Sequence, residues 1–102
     1  MKSIPEADWQ YLRRIKDELL DILCQRINDE AASIVRDRSS SPHDNFLRLY
    51  RHVQEANERV ADCFDDWRRS TLWIKLHYLR KEELLTDEEL SRLTEETQSW
   101  LK

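Results

Sequence analysis

The chain has 102 residues, 39% hydrophobic and 37% charged, with no glycine, two prolines and a formal net charge of −4. That is the length of one domain, which excludes a multidomain enzyme. P-loops, dinucleotide-binding turns and most tight β-turns lean on glycine's access to positive φ, so a glycine-free chain argues for an all-α fold.

Leu, Ile, Val and Phe supply 25 residues, above the roughly 20% below which a chain usually stays disordered, so a thin core can form. No apolar run approaches the ~18 residues of a membrane span. The opening MKSIPEADW carries acidic residues in place of a signal peptide's apolar stretch, and a cytoplasmic location is expected. Cys24 and Cys63 are not in a CxxC pair, as expected of reduced thiols.

In chain order, a first helix is predicted over about 6–37, beginning after Pro5. Its apolar positions Trp9, Leu12, Leu19, Leu23, Ile27, Ala31 and Ile34 recur every three or four residues. Ile15, Leu20 and Ile22 widen the stripe, as in a helix that touches two neighbours. Arg38-Ser-Ser-Ser-Pro-His43 interrupts the pattern. Ser41 as N-cap and Pro42 at the first helical position then open a second helix.

That second helix is predicted to run from 42 to about 84. Phe46, Leu49, Val53, Ala56, Val60, Cys63, Trp67, Ser70, Ile74 and His77 keep a 3–4 spacing with no glycine or proline to stop it. Such a helix is ~64 Å long at 1.5 Å per residue. The alternative is a break near Ser70, with Thr71 capping a separate helix and the bundle having four helices instead of three. Thr86-Asp87-Glu88-Glu89 reads as a capping box that starts a third helix over about 87–101.

Short connections make sequential helices antiparallel neighbours. First- and second-helix residues then pair where their numbers sum to about 79, which gathers Trp9, Trp67, Trp73 and Trp100 at one end and sets His52 beside residue 27. A continuous second helix carries Leu72, Leu76 and Leu79 on the face opposite Trp67 and Ile74, beyond the reach of one short third helix. Leu72, Leu76, Leu79 and Trp73 are therefore the expected interface with a protein partner, a homodimer mate or a heteromeric complex.

Catalytic and metal chemistry finds little in the sequence. Di-iron bundles need a Glu-x-x-His element, and there is none. Neither cysteine has a histidine within a helical turn in sequence. The adjacent acidic pairs read as a solvated face with i,i+4 partners. No cofactor and no metal are expected. Arg69, Trp73, His77, Arg80 and Lys81 share one broad side of the second helix and could contact an anion or nucleic acid. Negative net charge argues against a strong intrinsic nucleic-acid binder.

The Ile4-Pro5-Glu6-Ala7-Asp8-Trp9 opening, the Arg-rich stretch at Arg68-Arg69 and the Leu85-Thr86-Asp87-Glu88-Glu89-Leu90 helix start together resemble the helical domain of the archaeal GINS replication proteins. The resemblance implies a scaffold subunit that assembles through long helices into a tetramer linking the replicative helicase to other replisome parts. Thr71 and Leu72 stand where that family has an Arg-x-Arg-Lys-Ile-like run, and its small β-domain is not in this sequence. Leu19 to Arg26 is similar to the first helix of the helical chorismate mutases, with Arg26 alone matching the several cations those enzymes converge on a dicarboxylate. The sequence thus reads as a non-enzymatic helical scaffold. A small helical enzyme acting on an anionic metabolite and a nucleic-acid-associated regulator are the alternatives.

Overall fold

A computed structural model describes residues 3–101. They form α1 (Glu6–Arg36), α2 (Pro42–Phe64), α3 (Leu72–Lys81), α4 (Asp87–Ser91) and α5 (Glu95–Trp100), with no strand among the described residues. The all-α expectation holds. The molecule measures 51 × 25 × 23 Å: a two-helix arm of α1 and α2 with α3, α4 and α5 gathered as a head at its base.

α1 spans 31 residues, about 46 Å at 1.5 Å per residue, and so sets the long dimension. Glu6 and Asp8 in its first turn and Arg36 in its last complement the helix dipole. The chain reverses through 37–41. Ser41 caps α2 by accepting the Asp44 N–H at 3.1 Å, with Pro42 following it. The two helices run antiparallel in the expected register, since His52 Nε2 lies 3.0 Å from the Ile27 carbonyl.

The reversal is pinned by Asp37. Its carboxylate accepts from the Ser39 hydroxyl at 2.6 Å and the Ser39 N–H at 2.8 Å, and it pairs with Arg48 at 2.8 Å. The two Ser39 hydrogen bonds, reinforced by Arg48, hold the carboxyl down at about 2 against an ordinary 3.8. A depressed carboxylate stabilises the fold above its unfolded pKa, and the contribution disappears as pH falls from about 3.8 through about 2. Asp37 is expected to titrate near pH 2 by carboxyl-carbon NMR, with the Ser39 amide losing protection in the same window. Asp37→Asn abolishes that acid step; an Asp37 titration near 4 would contradict the geometry.

The second helix does not continue to residue 84. α2 ends at Phe64, Asp65 is extended at its C-cap, and Asp66 takes a left-handed φ of 57°. Non-glycine residues adopt that conformation at a cost, aspartate among the least. Thr71 supports the turn: its Oγ1 accepts from the Arg68 N–H and donates to the Asp66 carbonyl. Phe64 and Trp67 stack with centroids 5.7 Å apart. The chain folds back, and α3 lies against the arm instead of extending it. The break falls at 65–71, beginning earlier than the alternative near Ser70, and the described residues hold five helices, neither three nor four. Thr71 stands at the N-cap of α3, though without a side-chain cap hydrogen bond.

α3 ends in a Schellman motif. Glu83 holds φ 56°, the Leu84 N–H donates to the Leu79 carbonyl at 2.9 Å, and the Glu83 N–H donates to Arg80 at 3.0 Å. Leu79 and Leu84, the hydrophobic pair of that motif, are both buried. Because glycine occupies this conformation without the Cβ clash and the Glu83 side chain is exposed, Glu83→Gly is expected to stabilise the protein. The gain should be about 1 kcal/mol, a rise of ~4–8 °C in Tm by calorimetry for a domain of this size.

The third predicted helix is two short ones. Thr86 and Glu89 form the expected capping box at the start of α4, with Thr86 Oγ1 accepting the Glu89 N–H at 3.1 Å and Glu89 Oε1 accepting the Thr86 N–H at 2.9 Å. The helix ends at Ser91, and Thr94 caps a new one, α5. The change of direction is fixed by Asp8 of α1, which is 1% exposed. Its Oδ1 accepts the Thr94 N–H at 2.9 Å, and its Oδ2 accepts the hydroxyls of Thr94 at 2.7 Å and Thr97 at 2.6 Å. A single straight helix could not bring Thr94 to that carboxylate.

The core joins Ile4, Leu12, Leu19 and Leu23 to Cys63, Phe64, Leu72, Leu76, Leu79, Leu84, Leu85 and Leu93. All four tryptophans pack against it, partly buried.

Candidate functional site

The expected partner face is not on the surface. Leu72, Leu76 and Leu79 each have 0% exposure, because the turn at 65–71 brings that side of α3 onto α1 and α2. The expectation failed with the continuous helix on which it depended. Trp73 is half-buried against the same core.

The basic side chains of the same region serve the fold. Arg69 donates twice to the Ile4 carbonyl, at 2.9 and 3.2 Å, and pairs with Glu6 at 3.0 Å, so it fastens the segment before α1 to the α2–α3 junction. Arg80 donates to the Leu85 carbonyl at 2.7 Å and pairs with Asp87 at 3.1 Å. His77 and Lys81 are exposed. The four therefore do not form a free cationic stripe, since two are engaged by partners within the head.

Other cations strap α3 to the arm. Arg26 donates to the Glu82 carbonyl at 2.8 Å, and Arg59 meets the Glu82 carboxylate at 2.8 Å. Lys75 donates to the Asp62 carbonyl near the end of α2 at 3.0 Å, where a positive charge suits the helix dipole. Arg26 is thus held by backbone oxygens. The depression beside it, of about 400 Å³, is lined by Glu18, Glu83, Glu88 and Glu89 as well as by Arg92. Arg92 is itself paired with Glu88 at 2.9 Å. An excess of carboxylates disfavours an anionic ligand there.

Burial in the core pushes the Cys63 thiol up to about 11, far from a reactive thiolate. His52, near Cys24 in the helix register, has its Nε2 on the Ile27 carbonyl. No cluster of three or more His, Cys, Asp or Glu side chains able to hold a metal occurs among the described residues, and no helix of the structure is long and apolar enough to cross a membrane.

What the surface does offer lies on the outer arm. Phe46 is 62% exposed, Val35 59%, Tyr50 56% and Val53 53%. A shallow groove between the helices is lined by Cys24, Ile27, Asn28 and Ala31 of α1 and by Val53, Ala56, Asn57 and Val60 of α2. A second one at the tip is lined by Val35, Phe46 and Leu49 among others. At 100° per residue, Cys24, Asn28, Ala31 and Val35 share one face of α1, and Phe46, Val53, Asn57 and Val60 share one face of α2. The two grooves are therefore one strip along one side of the arm.

The other side is already used. Arg26, which holds α3, is ~160° round α1 from both Cys24 and Asn28, and Arg59 is ~160° round α2 from Asn57. The head therefore covers the side of the arm opposite the strip. Further out, that covered side continues as Glu30, Ser33, Arg48, His52 and Glu55, all polar. A hairpin with one polar and one apolar side has the pattern of half a helical bundle.

The exposed strip was not anticipated as an interface. Its signal was present: the first helix carries an apolar stripe too wide for one partner, and the stripe continues past Ile27, beyond the reach of a short third helix. Comparison of the chain with protein-family models, with curated proteins and with solved structures gives no match.

Proposed function

We propose that this chain is a non-enzymatic interaction module that works by assembly, self-associating or joining a larger complex through the apolar strip of its α1–α2 arm. One observation carries the reading. Four large apolar side chains, Val35, Phe46, Tyr50 and Val53, are each more than half exposed on an arm that no third helix covers. Fully burying a side chain of this kind contributes ~1.5–3 kcal/mol, so docking the strip has several kcal/mol to gain. Large exposed apolar patches on small domains mark interaction sites.

The resemblance to the GINS helical domain fits a scaffold role and suggests a replisome-like assembly as its setting. An enzyme acting on an anionic metabolite is less well supported, since the depression at Arg26 is lined by four glutamates against two arginines, and both arginines are already engaged.

The test is the solution mass of the purified protein between about 1 and 100 µM by light scattering, beside the double variant Phe46→Glu/Val53→Glu. Both positions are exposed, so the variant should fold with an unchanged circular dichroism spectrum and a Tm lower only by the concentration-dependent part that association contributes. Two charges placed in a desolvated interface should weaken association by at least about 100-fold. The expected result is a wild-type mass above the monomer's 12.4 kDa and a variant mass at it. A wild-type monomer at every concentration that also retains the same proteins from a cell extract as the variant would end the reading.

A further inference from the structure

We infer that this chain has a second folded arrangement, in which two copies exchange their α3–α5 heads across the turn at 65–71 and α2 runs straight into α3. The inference concerns the hinge and is independent of the strip.

α3 packs antiparallel to α2 about a midpoint near residue 69: Lys75 donates to the Asp62 carbonyl at 3.0 Å, and Glu82 meets Arg59 at 2.8 Å. A helical hairpin of this kind keeps its contacts whether the head lies on its own arm or on the arm of a second copy, related by a two-fold axis through the hinge. After exchange, Leu72, Leu76 and Leu79 are buried on the same core residues, Asp8 again accepts from Thr94 and Thr97, and Arg26 and Arg59 again hold Glu82. The two arrangements differ at the turn and at the Ile4–Arg69 tie beside it, so the turn decides between them.

The turn is costly as it stands. Asp66 holds a left-handed φ of 57°, unfavourable for any residue with a Cβ. The Trp67 indole N–H is buried without a hydrogen-bond partner among the described residues, a further cost to the closed form. The same residues suit a helix. The segment contains neither glycine nor proline, and the 3–4 spacing of α2 passes through Trp67 and Ser70 to Ile74 and His77. In a straight helix Asp65 lies one turn before Arg68 and Arg69, and Asp66 one turn before Arg69, the favourable order of acid and base. Repulsion between Asp62 and Asp66 opposes these pairs.

Against the exchange stand the bonds of the closed turn. Arg68 pairs with Asp66 at 2.7 Å, Thr71 donates to the Asp66 carbonyl, and Arg69 donates to the Ile4 carbonyl at 2.9 Å. The monomer therefore holds in dilute solution, and mass action brings in the exchanged dimer when chains fold together at high concentration. Each head must leave its core before it can change arms, so folded monomer and folded dimer interconvert slowly. The dimer points its two arms apart. Its length is ~80 Å at 1.5 Å per residue, against the monomer's 51 Å, and it carries an apolar strip on each arm. Exchange thus converts a module with one docking strip into a bivalent one.

The experiment uses Phe46→Glu/Val53→Glu as background, which removes association through the strip, with Asp66 kept or replaced by Gly or Ala. Both replacements lose the Arg68 pair equally, but glycine accepts the left-handed turn and weakens a helix, while alanine does the reverse. Each protein is refolded at about 1 µM and at about 500 µM and its mass read by light scattering. The expected result is a monomer at the low concentration and a slowly dissociating dimer at the high one. The dimer's dissociation constant should be at least about 100-fold smaller for Asp66→Ala than for Asp66→Gly. Small-angle scattering should give that dimer a longest dimension of about 80 Å. With Arg59→Cys/Glu82→Cys and Cys24→Ala added, Cys63 being fully buried, a short bismaleimide should join two chains in the dimer and close a loop within one chain in the monomer. Failure of all three proteins to dimerise after concentrated refolding overturns the inference. So does a dimer whose cross-link stays within one chain, or equal dimerisation of the Gly and Ala variants. None of these outcomes bears on the strip, whose own test is made with Phe46 and Val53 in place.

Discussion

Leu76→Ala is expected to destabilise the protein by about 2–5 kcal/mol, enough to leave a domain of this size marginally folded or unfolded at 37 °C. Leu76 is fully buried on α3 and packs in the cluster that joins α3 to α1 and α2. Truncation removes its transfer free energy and leaves a cavity that three converging helices cannot close. Urea denaturation followed by circular dichroism reads the effect. Phe46→Ala supplies the contrast, because at 62% exposure it should move the unfolding free energy of the monomer by less than about 0.5 kcal/mol. Reversal of the two results, with Leu76→Ala silent and Phe46→Ala disruptive, would mean that α2 and α3 are one helix after all.

Asp8→Ala should cost about 2–4 kcal/mol. The carboxylate accepts three hydrogen bonds, from the Thr94 N–H and from the hydroxyls of Thr94 and Thr97. Its removal leaves the Thr94 N–H and the Thr97 hydroxyl without an acceptor, and the Thr94 hydroxyl with only Thr97 Oγ1 at 3.3 Å, in a site where Asp8 is 1% and Thr97 0% exposed. Unsatisfied buried polar groups carry ~1–3 kcal/mol each. Asp8→Asn keeps one carbonyl acceptor, and hydroxyls can accept from its amide, so its cost should be less than half as large. Hydrogen exchange should show α5 losing protection first, since Asp8 is the only α1 side chain bonded to Thr94 and Thr97 among the described residues. Equal losses for Ala and Asn would assign the effect to shape instead of hydrogen bonding.

Three of the helix starts were legible because each rests on local chemistry. Pro5 before α1, Ser41-Pro42 before α2 and Thr86 with Glu89 before α4 all act within four residues, and each is where the chain indicates. The register of α1 on α2 followed from a short connection, which set His52 beside Ile27 without further information. The helix ends were harder. Asp66 and Glu83 both take positive φ, the role in which glycine is the usual signal, and in a glycine-free chain the apolar spacing runs through such a turn unmarked. The bend between α4 and α5 is held by Asp8, more than eighty residues away, and the one local sign of it, Thr94 as an N-cap before Glu95 and Glu96, went unread. The interface assignment inherited the error. Continuing the helix past Phe64 put Leu72, Leu76 and Leu79 on the outside and turned attention from Phe46 and Val53, which had been read only for their helical spacing.

The ties that close the head are separated by nearly the whole sequence: Asp8 to Thr97, Ile4 to Arg69. Those of the arm are local, reaching back from Asn45 and Arg48 to Asp37. Loop closure is cheaper for near contacts, and rates fall as contact separation grows. On the ribosome the arm is therefore complete while the leucines that will receive α3 are still bare, and the head locks only after the last helix has emerged. A strip that docks before that moment would join two unfinished chains, so assembly could precede folding of the part of the molecule that carries most of the core.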